Sequence, residues 1–188
     1  MEDENKKDIE SLVARKLGSV LLNRKQWPLL LCLITLLWML AIFLLSSQNG
    51  EQTVKASGGL AQTIAGILYR QPTEQQVDQV HIVLRKIAHI GLFFVLGLLS
   101  YAAASNTLGR LRPNKRWPSL VLAMALTSAC GFFDEWHKQF IDGRHFDAGE
   151  TLLNTACGIL GVLLAFAAGL WMLQRKNKRQ CPDTTAGN

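Results

Sequence analysis

Long runs of apolar residues alternate with short polar segments along this chain. Four runs approach the roughly 17–25 residues that cross a hydrocarbon core of about 30 Å, at 28–45, 87–104, 117–133 and 151–173. The first run is the clearest, whereas His89 and Asn154 interrupt the second and the fourth. No stretch alternates with a period of two, which argues against a membrane barrel. The pattern predicts an all-α protein, a four-transmembrane-helix bundle.

Two further amphipathic stretches lie outside the four runs. The first has an apolar stripe at helical spacing and predicts a helix in the membrane interface, formed by Ile9, Leu12, Val13, Leu17, Val20 and Leu21. The second lies in the polar segment 46–71, where Leu60, Ile64, Ile67 and Leu68 share one face. It is too short to span, so we expect a short surface or re-entrant helix in the first outer loop.

Local signals divide the chain further. Pro72 ends the second amphipathic stretch, and Thr73-x-x-Gln76 resembles a capping box. We expect the helix that starts there to run continuously into the second span. Three parts are predicted: an interfacial N-terminal tail at 1–27, the membrane domain at 28–173, and a basic tail at 174–188.

The distribution of charge changes what the composition suggests. The chain has 188 residues with 20 Lys and Arg against 14 Asp and Glu, a net charge of +6 that invites a nucleic-acid partner. However, 49% of the residues are hydrophobic and only 18% are charged. Fourteen basic residues fall before the first run, between the second and third, and after the fourth, against six in the two other segments. This positive-inside pattern predicts cytoplasmic termini, membrane lipids as partners and no nucleic acid.

The positions of the cysteines argue against disulfides, and the length of the first run argues against a cleaved signal peptide. Cys32, Cys130 and Cys157 lie inside apolar runs, where they are small buried hydrophobes, and Cys181 lies in the predicted cytoplasmic tail. We therefore expect no disulfide. The first run exceeds a signal-peptide core and no small-x-small cleavage site follows it, so it is interpreted as a retained helix.

Ionisable residues gather where the second run enters the membrane. Asp78, His81, Arg85 and His89 are spaced by three or four residues, so they share one helical face, and Lys86 borders it. His89 would lie about one turn below the surface. Ionisable groups at that depth normally face a bundle interior or a wet cavity, because lipid cannot solvate them.

A second polar set joins the third and fourth runs. Asp134, Glu135, His137 and Lys138 extend the third helix, and Gly143 can end it. Asp147-x-x-Glu150 resembles a variant capping box for the fourth. We predict that three helix ends converge and form a binding site of Arg85, Lys86, His89, Glu135, His137, Lys138, Arg144, Glu150 and Asn154.

Several functions fit these residues. Opposite charges could form a structural clasp. Arginine forks could instead bind an anionic lipid-linked or cell-wall ligand. An acid/base enzyme could use His89, Asp134, Glu135 or His137, although no HExxH or Gly-x-Ser-x-Gly motif and no lipid-phosphatase pattern is present. A transporter would require an oligomer. We expect no cofactor and no metal site.

Ordered motifs give the chain a family resemblance. The segments "SSQNG", "LRKIAHIGLFF", "DEWHKQFIDGR" and "ETLLN" resemble the VanZ-like membrane proteins over about residues 28–170. That family shows an Arg-Lys pair before a His and an aromatic residue. It then shows DE-x-H-Q, a later Gly-Arg, and an acid followed by Asn or Asp. Here Lys138 stands where Gln is usual, and Glu150 stands where Asp is commoner.

The resemblance implies a bacterial inner-membrane protein. Some relatives are linked to resistance against teicoplanin-type glycopeptides. The resemblance brings no settled reaction, cofactor or ligand. The polar motifs that the family shows fall on the residues that the charge pattern assigns to the outer end of the bundle.

The predicted topology can be tested by cysteine labelling. The loop at 110–116 carries four basic residues and no acid, so it should lie in the cytoplasm. An Asn114→Cys variant should react with a membrane-impermeant maleimide only after the inner membrane is permeabilised. Labelling of Asn114→Cys in intact spheroplasts would reverse the topology and move the polar motifs to the cytoplasmic side.

Overall fold

A computed structural model describes residues 26–47, 50–69, 71–111, 116–141 and 145–180. Five helices follow one another, and no strand occurs in these ranges. They are α1 (Trp27–Ser46), α2 (Gly50–Leu68), α3 (Glu74–Leu111), α4 (Trp117–Lys138) and α5 (Ala148–Gln180). The all-α prediction is confirmed. The predicted interfacial helix near the N-terminus lies outside the described residues, and the three-part division of the chain stays a prediction.

Four of the helices are long and apolar enough to cross a membrane. The qualifying segments are Trp27–Ser46, Glu74–Gly109, Trp117–Lys138 and Ala148–Lys176, which confirms the four predicted spans. Each is longer than its apolar run, because polar turns extend α3, α4 and α5 beyond the hydrocarbon-like residues. A span prediction based on hydropathy alone therefore truncates the helices where the polar residues lie.

The helix between the first two spans begins earlier than the sequence suggests. The polar segment from Gly50 onward is already helical, although its Gly, Ser and Gln content indicates turns. Its contact with α3 uses small residues, since Ala61 and Ala65 are fully buried. Leu60 and Ile67 point outward, with 58% and 79% of their surface exposed. The short-helix prediction is confirmed, but its large apolar residues do not form the packed face.

Side-chain caps start the two longest helices. At α3, Thr73 N–H donates to Gln76 Oε1 over 3.0 Å and Gln76 N–H donates to Thr73 Oγ1 over 3.4 Å, which confirms the capping box. At α5, Asp147 Oδ1 accepts from Gly149 N–H at 2.7 Å and from Glu150 N–H at 3.3 Å. Asp147 is the predicted cap, but the Glu150 carboxylate turns to other partners, so the reciprocal half of the box does not form.

Helix α3 is the axis of the bundle, because it packs against each of the other four helices. Ser119 Oγ on α4 donates to Ala104 O near the end of α3, so these two helices are antiparallel. Ser47 and His137 bring together the C-terminal ends of α1 and α4. We call this end of the bundle, where α4 ends and α5 begins, the polar end.

Small residues let α3 and α5 approach closely. A Cβ added to Gly97 would overlap the carbonyl oxygen of Gly158, and one added to Gly161 would overlap that of Phe94. Small-residue contacts of this kind are typical of membrane helix interfaces, where water cannot drive apolar association. They align the two helices that carry Arg85 and Glu150.

Replacing Gly97 by Ala should disrupt this crossing. The added methyl group has no room, and overpacking costs about 1–3 kcal/mol, so the thermal unfolding temperature in detergent should fall. Gly91→Ala on the same helix is the matched control, because a Cβ there meets nothing within 4 Å. Equal unfolding temperatures for the two variants would contradict the close approach.

Candidate functional site

Charged residues from three helices meet at the polar end. Arg85 Nη2 on α3 lies 3.8 Å from Glu150 Oε1 on α5, and Lys138 Nζ on α4 lies 3.3 Å from Glu150 Oε2. The predicted convergence of the three helix ends is therefore confirmed for these residues. Glu150 is the bridge, because its two carboxylate oxygens pair with cations from two different helices. Arg144 and Gly143 lie outside the described residues.

Lys138 is the centre of the charge cluster. Its ammonium contacts Glu135 Oε1, lies 3.5 Å from Asp134 Oδ2, and reaches Glu150 across the helix boundary. Only 4% of its side chain is exposed, against 2% for Asp134 and none for Glu135. One cation thus serves three carboxylates, two of which are almost fully buried.

The spacing of these residues explains the geometry. Asp134 and Glu135 precede Lys138 by four and three residues, so both carboxylates lie beside its side chain on one helical face. Leaving a buried charge without its partner costs about 3–5 kcal/mol, whereas an intact buried pair adds little net stability. The cluster therefore adds little to the free energy of unfolding. Its main effect is to disfavour other placements of α4 against α5, because these would leave a buried charge unpaired.

A small cleft opens between α3 and α5 beside this cluster. Its volume is about 10 Å³, close to the space one water molecule requires. Its lining is formed by Arg85, Lys86, His89, Glu150, Leu153 and Asn154. Arg85 and Lys86 lie at the more exposed rim, while 2% of Asn154 is exposed. Seven of the nine predicted ligand-binding residues are thus brought together: five line the cleft, and Lys138 and Glu135 lie in the adjoining charge cluster.

Polar atoms near the cleft lack hydrogen-bond partners within the described ranges. His89 Nδ1 and Asn154 Nδ2 are buried cleft atoms of this kind. Glu135 Oε2 and Asp134 Oδ1 are similarly buried among the charged residues. Most buried polar groups in folded proteins are paired, so each exception requires an explanation. A ligand or water that accepts hydrogen bonds from the cleft would supply the missing partner for Asn154.

His137 lies apart from the cleft and binds α1. Its ring stacks on Phe43 with centroids 4.2 Å apart, and Nε2 lies 3.1 Å from Ser47 Oγ. Ser47 Oγ already donates its single proton to Phe43 O over 2.7 Å. With that proton engaged, Ser47 Oγ can accept a hydrogen bond from His137 Nε2, which favours the tautomer protonated at Nε2. Ser47 lies within the "SSQNG" motif, but no spacing in the sequence predicts its contact with His137, which is 90 residues away.

The four candidate catalytic residues do not surround one reacting position. His89 lines the cleft, Glu135 and Asp134 contact Lys138, and His137 contacts α1. Within the described part of the chain, no three His, Cys, Asp or Glu side chains are placed to share a metal ion. An ammonium group occupies the space between the carboxylates instead.

Together these features define a polytopic α-helical membrane protein with a buried ionic cluster at one end of its bundle. A family model described as VanZ/LLP1 matches residues 31–171. Because the match covers most of the chain and all four candidate spans, the protein belongs to the VanZ/LLP1 family. Searches of curated proteins and of solved structures gave no significant match.

Removal of the central cation should destabilise the bundle. In Lys138→Met the carboxylates of Asp134, Glu135 and Glu150 lose their shared partner, and the expected loss is about 3–5 kcal/mol. The measurement is reversible unfolding in mixed micelles at neutral pH. Lys86→Met is the matched control, because the Lys86 side chain is exposed. A Lys138→Met variant as stable as the control would show that the cluster tolerates loss of its cation.

Proposed function

We propose that this protein binds an anionic ligand of the cell envelope in the cleft between α3 and α5. The ligand would be lipid-linked or part of the cell wall. Binding would contribute to survival under glycopeptide or other envelope stress. The protein would act in the bacterial inner membrane with both termini in the cytoplasm, so that the polar end lies at the outer surface.

The observation that carries this proposal is the concentration of hydrogen-bond donors at the cleft. Arg85 and Lys86 supply cations at the rim, and Asn154 Nδ2 is buried below them without an acceptor among the described residues. Guanidinium and ammonium groups pair with phosphate and carboxylate oxygens. An anionic group at the rim would therefore pair with the charged donors, and one water molecule in the cleft would connect it to the Asn154 amide.

The buried carboxylates have a cation of their own, so the cations at the rim remain accessible. Lys138 lies among Asp134, Glu135 and Glu150, and it offsets part of their negative charge inside the bundle. Arg85 is held only loosely, at 3.8 Å from Glu150, with 35% of its side chain exposed. A ligand anion can approach this guanidinium without first breaking a tight buried pair.

The geometry supports binding over acid/base catalysis. A general base has to reach the proton it removes, at about 2.6–3.2 Å or through one water. Among the described candidates, only His89 faces the cleft, since Glu135 and His137 have their contacts elsewhere. A binding role requires the cleft donors alone.

Substitution of the rim arginine tests the proposal. Arg85→Ala should return survival in teicoplanin to the level of cells that lack the protein, because it removes the rim guanidinium that would pair with the anion. Arg85→Lys should impair survival nearly as much, since Lys cannot copy the two-pronged fork. We expect the same ranking for Arg144→Ala and Arg144→Lys, on the basis of the sequence pattern.

The control is Arg175→Ala on the opposite end of α5, where the guanidinium lies over the Trp171 ring. Membrane levels and unfolding temperatures of every variant have to match the parent protein. Full survival with Arg85→Lys would show that Arg85 only balances charge and does not bind the ligand through its guanidinium fork. Loss of survival together with loss of folded protein would assign the cluster to a structural clasp.

A further inference from the structure

A second opening lies between α1 and α4 and adjoins the charge cluster at Asp134. It is a groove of about 450 Å³, within the range of small-molecule sites. Leu40 and Phe43 of α1 face Leu126 and Phe133 of α4 across it, and Asp134 lies at its polar end. The cleft lies between α3 and α5, so the two openings share no lining residue.

The attachment of α1 explains why the groove exists. Trp38 Nε1 donates to Leu92 O on α3 over 3.0 Å, and Ile42 packs with Phe93 and Leu96 of α3. Helix α1 is therefore fixed mainly to α3, and it meets α4 chiefly through the His137 contacts with Phe43 and Ser47. Below that contact the two helices remain apart.

We propose that this groove holds one hydrocarbon chain of a membrane lipid, bound independently of the ligand of the cleft. The walls are continuous with the lipid-facing surface, because Leu40, Phe43, Leu126 and Phe133 each keep more than a third of their surface exposed. Both walls belong to helices that are long and apolar enough to span a membrane. An unfilled groove would forfeit dispersion contacts along its whole length, and a flexible alkyl chain restores them.

Other occupants from this chain fit less well. Helix α2 packs on α3 and makes no contact with α1 or α4 among the described residues. The segment before α1 joins at Trp27, twelve residues from Met39. At 1.5 Å per residue this separation is about 18 Å of membrane-spanning helix. The preceding residues would have to enter the apolar layer to reach the groove.

The polar end of the groove sets the orientation of the lipid. Asp134 is the single charged residue among the described residues that line the groove, only 2% of it is exposed, and its Oδ2 lies 3.5 Å from Lys138. The polar end of the groove therefore adjoins the charge cluster. Met39 and Leu126 line the part of the groove that is farther from this end. The bound chain has its polar linkage toward Asp134 and its methyl end toward the middle of the membrane.

Two alanines one turn apart on α4 provide a matched test. Ala129 lines the groove, and Ala125 is also exposed but does not line it. The protein is purified from its membrane, washed in detergent and examined by native mass spectrometry. The parent and Ala125→Phe should each retain one lipid per chain. Ala129→Phe, which fills the groove, should lower that occupancy about tenfold.

Retention unchanged in Ala129→Phe, or no retained lipid in the parent, would overturn the proposal. A dimer that dissociates only in Ala129→Phe would assign the groove to a second copy and also overturn it. If Ala129→Phe does not fold, the parent protein is photocrosslinked with a phosphatidylglycerol that carries a diazirine in its acyl chain. Crosslinks should concentrate at Met39–Phe43 and at 126–133, whereas even labelling around α1 would contradict a site.

The same measurement separates this site from the cleft. Arg85→Ala should leave lipid retention unchanged while it returns survival in teicoplanin to the level of cells that lack the protein. Loss of retention with both Arg85→Ala and Ala129→Phe would show that one lipid occupies both openings, which contradicts independent binding.

Discussion

The polar end of this protein depends on one ammonium group shared by carboxylates from two helices. Lys138 is placed by its own helix beside Asp134 and Glu135, and it reaches Glu150 at the start of α5. In apolar surroundings none of these four groups can be left unpaired at low cost. The relative position of α4 and α5 is therefore constrained by charge as well as by packing. Arg85 extends the same constraint to α3 through the second oxygen of Glu150.

Packing and capping make this arrangement possible. Gly97, Gly158 and Gly161 let α3 and α5 approach until their backbones are in contact, which brings Arg85 near Glu150. Asp147 caps α5 through its own carboxylate, so the Glu150 carboxylate is free of a capping role. The groove between α1 and α4 and the cleft between α3 and α5 then adjoin one ionic centre. Asp134 adjoins the first opening, and Glu150 adjoins the second.

Much of this organisation could be predicted from the sequence, because it depends on residues that are close together along the chain. Apolar runs of membrane length identify the four spans, and spacings of three and four place Lys138 beside two acids on one turn. The motif order also indicates the family. Properties that depend on three-dimensional packing could not be predicted. His137 follows Asp134 by three residues, as Lys138 follows Glu135, yet it faces α1 and contacts Ser47. Likewise, hydropathy favours Leu60 and Ile67 as the buried face of α2, whereas the fully buried residues among the described side chains of that helix are Ala61 and Ala65.

The coupling between Lys138 and Glu150 is the most direct test of the central ion cluster. A double-mutant cycle with Lys138→Met and Glu150→Gln, measured by reversible unfolding in mixed micelles, isolates their interaction across the α4–α5 boundary. Residues in one ionic network typically couple by about 0.5–3 kcal/mol. The structure predicts a favourable coupling in that range, with the double variant more stable than the sum of the two single losses implies. Strictly additive losses would mean that Lys138 does not hold the two helices together.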